Sequence, residues 1–160
     1  MGARAFIPIA LAGAVLFTFA PATPATATTA SEAQQIVAIA RAQVGDPWRY
    51  GAIGPGAFDC SGLIIYSYRK AGDGTTIRST SLRSARSIYL YFKNRGRASR
   101  TNPKVGDLVI WGYGTHIGIY IGNGKAVSTL RNGVHVHGVF AVTARFTAYL
   151  HTGMSSRPAS

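Results

Sequence analysis

The chain holds one cysteine, Cys60, and four histidines, His116, His135, His137 and His151. A thiol beside an imidazole is a minimal pair for nucleophilic acyl transfer, with the thiolate as the attacking form. Asp59 is a natural N-cap, so Cys60 falls in the first turn of a helix. Unpaired backbone N–H groups and the helix dipole there favour negative charge and pull the thiol below its free pKa of about 8.5, although the charge of Asp59 opposes them. A base must come from the histidines. His116 opens a strict alternation, with Ile117, Ile119 and Ile121 on one face and His116, Gly118 and Tyr120 on the other. If the isoleucines are core, His116 stands at the start of the strand on the opposite face, beside a glycine that admits a close neighbour; if helices pack on the His116 face, Gly118 makes their room. On these residues alone a buried inert thiol and a structural histidine stay open as the alternative.

Several elements must position the pair. Ser31 with Gln34 forms a capping box before the stripe Ile36, Val37, Ala40 and Val44, and Gly45 with Asp46-Pro47 ends that helix. A glycine-rich loop, Trp48 to Phe58, leads to a second helix from Asp59 to Gly72, and a third is expected from Thr80 through Phe92. After Pro103 the period becomes that of strands: Val105–Trp111, Thr115–Gly122, Lys125–Leu130, Val134–Phe140 and Thr143–Leu150, with Asn123-Gly124 and Asn132-Gly133 as hairpin turns. Helices followed by consecutive antiparallel strands give an α+β fold with the helices packed on one face of the sheet.

Residues 1–27 read as a secretory leader: Arg4, an apolar run from Ala5 to Phe19 too short to span a bilayer, and Ala25-Thr26-Ala27 as a small-residue cleavage site. Residues 28–160 then form one domain, and the formal charge falls from +12 to +11 with the loss of Arg4. Of 160 residues, 47% are hydrophobic, which excludes a disordered tail; 19 glycines and 7 prolines without a period exclude a collagen-like repeat; and one cysteine excludes a disulfide framework or a cysteine-based zinc site. A lone thiol in an oxidising exterior is either buried and inert or kept for reactivity. No metal site or cofactor is expected, since the histidines have no i,i+4 pair and carboxylates are few.

Phe58-Asp59-Cys60-Ser61-Gly62-Leu63-Ile64, then Val105-Gly106-Asp107-Leu108-Val109, then His116-Ile117-Gly118-Ile119-Tyr120-Ile121-Gly122-Asn123-Gly124 resemble, in order and spacing, the NlpC family of bacterial cell-wall cysteine peptidases. The resemblance runs from about Ala33 to Leu150. It implies a small papain-like fold with a mostly antiparallel sheet of five to six strands. It also implies hydrolysis of amide bonds in peptidoglycan stem peptides, typically between a γ-D-glutamyl residue and a diamino acid. By the same resemblance Cys60 is the nucleophile and His116 the base, the Cys60 N–H is an oxyanion donor, and Trp48, Tyr50, Asp59 and Ser61 belong to substrate binding. Two positions depart from the family. Trp48 stands where a tyrosine is common, so an indole replaces a phenol. The residue that orients the base, often histidine, falls at Ser128.

Register arithmetic offers a replacement. A strict two-residue Asn132-Gly133 turn sets Arg131 opposite Val134 and His137 directly opposite Ser128, so Ser128 and His137 together take the place of the usual third group. A plain Asn123-Gly124 turn would set Ser128 opposite Ile119, on the wrong side from His116; a bulged loop using Gly122 and Gly124 restores it.

Between Arg78 and Lys104 lie eight of the 17 basic residues and no acid. Arg83, Arg86 and Lys93 are expected off the apolar stripe of the third helix. This is a field for an anionic wall polymer with salt-dependent binding, or else a solvated face. The expected protein is thus a secreted, monomeric, wall-associated thiol peptidase that binds neither nucleic acid nor, once processed, membrane. Its alternatives are a thiol amidase or acyltransferase of the same fold and a catalytically idle basic wall- or polyanion-binding domain.

Overall fold

A computed structural model describes Gly2 and residues 31–157. The expected leader, residues 1–27, lies almost wholly outside the described residues. Among these, no helix is long and apolar enough to cross a membrane.

Three helices, α1 (Glu32–Arg41), α2 (Cys60–Lys70) and α3 (Ala85–Lys93), precede a six-stranded sheet formed by β1 (Ala98–Ser99), β2 (Leu108–Trp111), β3 (His116–Gly122), β4 (Lys125–Leu130), β5 (Gly133–Gly138) and β6 (Phe146–Leu150). The order is β1-β6-β2-β3-β4-β5 and every pairing is antiparallel, which is the α+β class expected. The strands are not one continuous meander. β6 returns across the sheet to pair with β2, and the two-residue β1 extends its far edge.

The caps of the first two helices are the expected ones. The Ser31 hydroxyl accepts from Gln34 N while the Gln34 side chain accepts from Ser31 N, and Asp59 Oδ1 accepts from Gly62 N at 2.7 Å. The third helix begins later than Thr80. Turns occupy residues 75–81, Arg78 sits at φ 55°, and the helix starts only where Ser84, in extended backbone, forms a reciprocal cap with Ser87. Arg83 therefore precedes the helix, while Arg86 and Lys93 lie on its exposed side.

Ile117, Ile119 and Val127 face the helices and join Ile36, Leu63, Ile64, Ile88 and Phe92 in the main core. The opposite sheet face carries a second cluster around Val109, Trp111, Ala126, Val139, Phe146 and Tyr149. Gly118 makes room on this second face for Trp111 and β4, not for a helix. A Cβ there would lie 2.9 Å from Val127 O, 3.0 Å from Ser128 Cβ and 3.2 Å from the Trp111 ring.

Both hairpins differ in detail from the expected registers. The β3–β4 turn is Asn123-Gly124, both with positive φ, and a bulge at Ile121 shifts the pairing from Gly122↔Lys125 to Tyr120↔Ala126 and Ile119↔Val127. That bulge brings Ser128 beside Gly118, on the face of His116. In the β4–β5 hairpin the loop is Arg131-Asn132, with Leu130 opposite Gly133. Ser128 is directly opposite His135, and His137 pairs with Ala126 and stands diagonal to Ser128. Gly133 is drawn into the strand because the end of the α1 loop packs on it: Val134 N donates to Asp46 O at 2.9 Å, and a Cβ at Gly133 would lie 2.5 Å from Asp46 O. The shift is two residues in the pairing sum, so Ser128 and His137 keep a common face.

Candidate active site

Cys60 and His116 meet in a cleft of about 570 Å³, at the junction of the α2 N-terminus, the start of β3 and the end of β4. Trp48, Tyr50, Asp59 and Ser61 line it as well, as do Arg83, Thr129 and Arg131. Tyr50 is 88% exposed at the rim.

Asp59 organises the cysteine's wall. Besides capping α2, its Oδ2 accepts from Gly51 N at 3.0 Å and from Arg83 Nη2 at 2.7 Å, and its Oδ1 accepts from Arg83 Nη1 at 3.2 Å. Arg83 Nη1 also donates to Ser61 Oγ at 2.7 Å, and the Ser61 hydroxyl donates to Arg83 O at 2.8 Å. Burial alone would raise the Asp59 carboxyl; the Arg83 guanidinium and the Gly62 and Ser61 hydrogen bonds outweigh it and hold the pKa below the usual carboxylate value. Gly62 lets this loop sit on the helix, since a Cβ there would meet Ala52 O at 2.0 Å while Asp59 N donates to that same carbonyl.

The thiol differs from expectation. Burial, followed by the charge of Asp59, pushes the Cys60 pKa up, although backbone N–H groups of Ser61, Ile117 and Cys60 pull it down. At the helix start desolvation of the sulfur outweighs the amides, so the resting group is the neutral thiol. The half-buried His116 is neutral too: burial and then His137 lower its pKa to about 4. The hydrogen bonds of the described residues include none between the Cys60 sulfur and the His116 ring.

Behind His116 runs a polar chain. His116 Nε2 lies 2.9 Å from Ser128 Oγ, Ser128 Oγ lies 2.7 Å from His137 Nε2, and His137 Nδ1 lies 3.0 Å from Gly138 O. The last group fixes the direction, because a carbonyl only accepts. His137 therefore carries its proton on Nδ1 and accepts at Nε2 from the Ser128 hydroxyl; Ser128 Oγ accepts from His116 Nε2–H; and His116 Nδ1 keeps the free lone pair. Ser128 is fully buried. Trp111 floors the arrangement, with its ring 5.2 Å from that of His116 and 5.7 Å from that of His137, and is itself anchored by Nε1 donating to Val139 O at 2.7 Å.

The structure thus gathers Trp48, Tyr50, Asp59, Cys60, Ser61 and His116 in one cleft and sets Ser128 and His137 behind the imidazole. It adds four residues that sequence reading passes over as site residues. In the sequence Arg83 belongs to the basic run, Arg131 flanks a hairpin turn, Thr129 is a strand residue and Trp111 ends a strand; only their distant partners reveal them. The Arg78–Lys104 run is not one free field. Arg83 is tied to Asp59, Arg86 donates to Tyr113 O, Arg100 donates to Thr147 O and lies over Phe146, and Arg78 and Arg95 flank the Tyr91 ring.

Residues 45–152 match the NlpC/P60 family. The chain is 35% identical over 109 residues to the probable endopeptidase p60 of Listeria monocytogenes, an alignment covering 64% of this chain and 21% of that protein. It is 38% identical over 100 residues to the murein DD-endopeptidase MepH of Escherichia coli, covering 59% and 35%. It therefore spans about a fifth to a third of these relatives' lengths. Among solved structures, the peptidoglycan hydrolase RipB of Mycobacterium tuberculosis superposes with a TM-score of 0.59 at 26% identity, covering 76% of this chain and 64% of that one.

Proposed function

The chain belongs to the NlpC/P60 family, and on that footing we propose that it is a secreted cysteine peptidase hydrolysing amide bonds in peptidoglycan stem peptides, with the γ-D-glutamyl to diamino acid bond as its target. One observation carries the reading: Cys60, at a helix start, shares a cleft with an imidazole whose Nε2 is held from behind, so that Nδ1 is the nitrogen left to act.

Because thiol and imidazole both rest neutral, attack and proton transfer go together. Sγ adds to the scissile carbonyl as its proton passes to His116 Nδ1. The developing oxyanion finds the Cys60 N–H at the first turn of α2, where no preceding helical carbonyl claims it. The intermediate collapses to a thioester as the imidazolium returns the proton to the leaving amine, and water, deprotonated by the same nitrogen, releases the acid. Ser128 and His137 are positioning residues: their chain accepts the His116 Nε2–H in both the neutral and the protonated state, so the ring need not turn over during the cycle. Trp48, Tyr50 and the Asp59–Ser61–Arg83 cluster line the path of the peptide. The cations of the run that stay exposed outside the cleft, Arg86 and Lys93 on α3 among them, hold the enzyme on anionic wall polymer.

Purified cell wall digested with the wild type and with Cys60→Ala, and read by mass spectrometry, tests this. Muropeptides cleaved at the γ-D-glutamyl bond should appear with the wild type alone. Equal release by both proteins would end the nucleophile assignment, and a wall-bound but inert wild type would favour a binding domain.

A further inference from the structure

Two polar groups in the cleft take no part in that chemistry. Thr129 is 2% exposed and lines the cleft, yet its Oγ1 has no hydrogen-bond partner among the described residues. Leaving a buried hydroxyl unpaired is unfavourable, and such groups are uncommon in native proteins unless something else satisfies them. Two positions further on, Arg131 also lines the cleft, its guanidinium 4.9 Å from the centre of the Trp48 ring. Among the described residues it forms no ion pair. Asp59 is the one carboxylate among the residues lining the cleft, and both of its oxygens are occupied by Arg83, Gly51 and Gly62. The cleft thus offers one uncompensated cation, steadied against an indole, and one unmet hydroxyl two residues before it. A guanidinium matches the two oxygens of a carboxylate, and a hydroxyl can donate to the same anion. A carboxamide offers one acceptor and turns an NH2 towards the cation.

We propose that Thr129 and Arg131 form a subsite for a free carboxylate of the peptide substrate, so that the enzyme prefers a carboxylate to a carboxamide at that position. This deepens the amide-hydrolase reading of the same cleft and rests on it. Two carboxylates of a stem peptide supply the chemistry, the α-carboxylate of a γ-linked glutamyl residue and the C-terminal carboxylate.

Four synthetic stem peptides, in which each of these two groups is either free or amidated, separate the sources. The wild type should cleave the acid form of one pair about tenfold better in kcat/KM than its amide, with the difference mainly in KM, as loss of a charge-assisted hydrogen bond implies. The pair that responds identifies the carboxylate. Arg131→Gln should bring that acid-to-amide ratio to within about twofold. Thr129→Val should lower the ratio less, while its thermal midpoint is unchanged or higher because the unpaired hydroxyl has gone. Equal rates on acid and amide forms of both pairs by the wild type, or the same ratio in Arg131→Gln as in the wild type, would overturn the subsite. If the wild type cleaves none of the four, the hydrolase reading fails, and fluorescence anisotropy of the labelled peptides on Cys60→Ala decides the subsite: about tenfold tighter binding of one acid form supports it and equal affinities refute it.

Discussion

Replacing His116 with glutamine should flatten the dependence of stability on acidity between about pH 7.5 and pH 4.5. The histidine's ordinary pKa of 6.5 describes the unfolded chain, while burial and the neighbouring His137 lower it to about 4 in the folded protein. On acidification the unfolded state takes up the proton first. The stability held by the neutral ring is therefore complete above about pH 6.5 and drains away as the pH falls towards 4. At pH 4.5 the two pKa values correspond to a loss of about 2.5 kcal/mol, which for a small domain is a large share of its stability. Glutamine keeps an amide to hydrogen-bond with Ser128 and cannot titrate. Urea unfolding of both proteins, followed by tryptophan fluorescence across that range, reads the effect as a difference of two curves, in which carboxylate titrations common to both cancel. The curves should converge by about 2.5 kcal/mol from the neutral to the acid end. Parallel curves, or a His116 ring proton titrating near 6.5 in the folded state, would refute the buried neutral imidazole and with it the neutral-pair mechanism.

Ser128→Ala should lower kcat by roughly tenfold to a hundredfold, part of what a well-placed general base supplies. His137→Leu should follow the same direction, with partial recovery in His137→Gln, whose carbonyl can still accept from Ser128; His137→Leu with wild-type kcat and an unaltered pH profile would remove His137 from the relay. Gly62→Ala places a methyl 2.0 Å from Ala52 O and should destabilise the fold by about 3 kcal/mol with a larger loss of activity, seen as a lowered urea midpoint; a native-like midpoint would show that the loop over α2 yields freely. Retention on isolated cell wall should weaken steeply with salt if Arg78–Lys104 grips anionic polymer, and salt-independent retention counts against it.

What could be read directly from the residues was local. The caps at Ser31 and Asp59 announce themselves because an oxygen-bearing side chain sits immediately before an apolar period, and the alternation from His116 to Ile121 fixes a strand and its faces. The start of the third helix was less legible. Ser79, Thr80, Ser81, Ser84 and Ser87 all offer capping oxygens, and only backbone geometry selects Ser84. The return of β6 to β2 and the edge strand β1 are long-range choices with no short motif. The pairing of Ser128 with His137 came from parity and survived a register error because the error was an even number of residues. Arg83, Thr129 and Arg131 were invisible as site residues because each acquires its role from a segment far away in sequence: Asp59 for Arg83, and the cleft that Trp48 and Tyr50 help to enclose for the other two.

The bulge at Ile121 decides more than the shape of a hairpin. Ser128 and Thr129 are consecutive, so the pleat sends one behind the imidazole and the other into the cleft, and the proposed roles in reaction and recognition are wired through a single peptide unit. Which hydroxyl goes where is set seven residues upstream by one unpaired position. Drawing Ile121 into the ladder, with Gly122 still opposite Lys125, would set Ile119 opposite Ser128 and invert the assignment, turning Ser128 towards the peptide and leaving Thr129 on the His116 side. The constraint is digital: the unpaired state of Ile121 keeps the two roles apart, and a variant that closed the bulge at the same chain length would exchange them while every residue of the proposed site is still present.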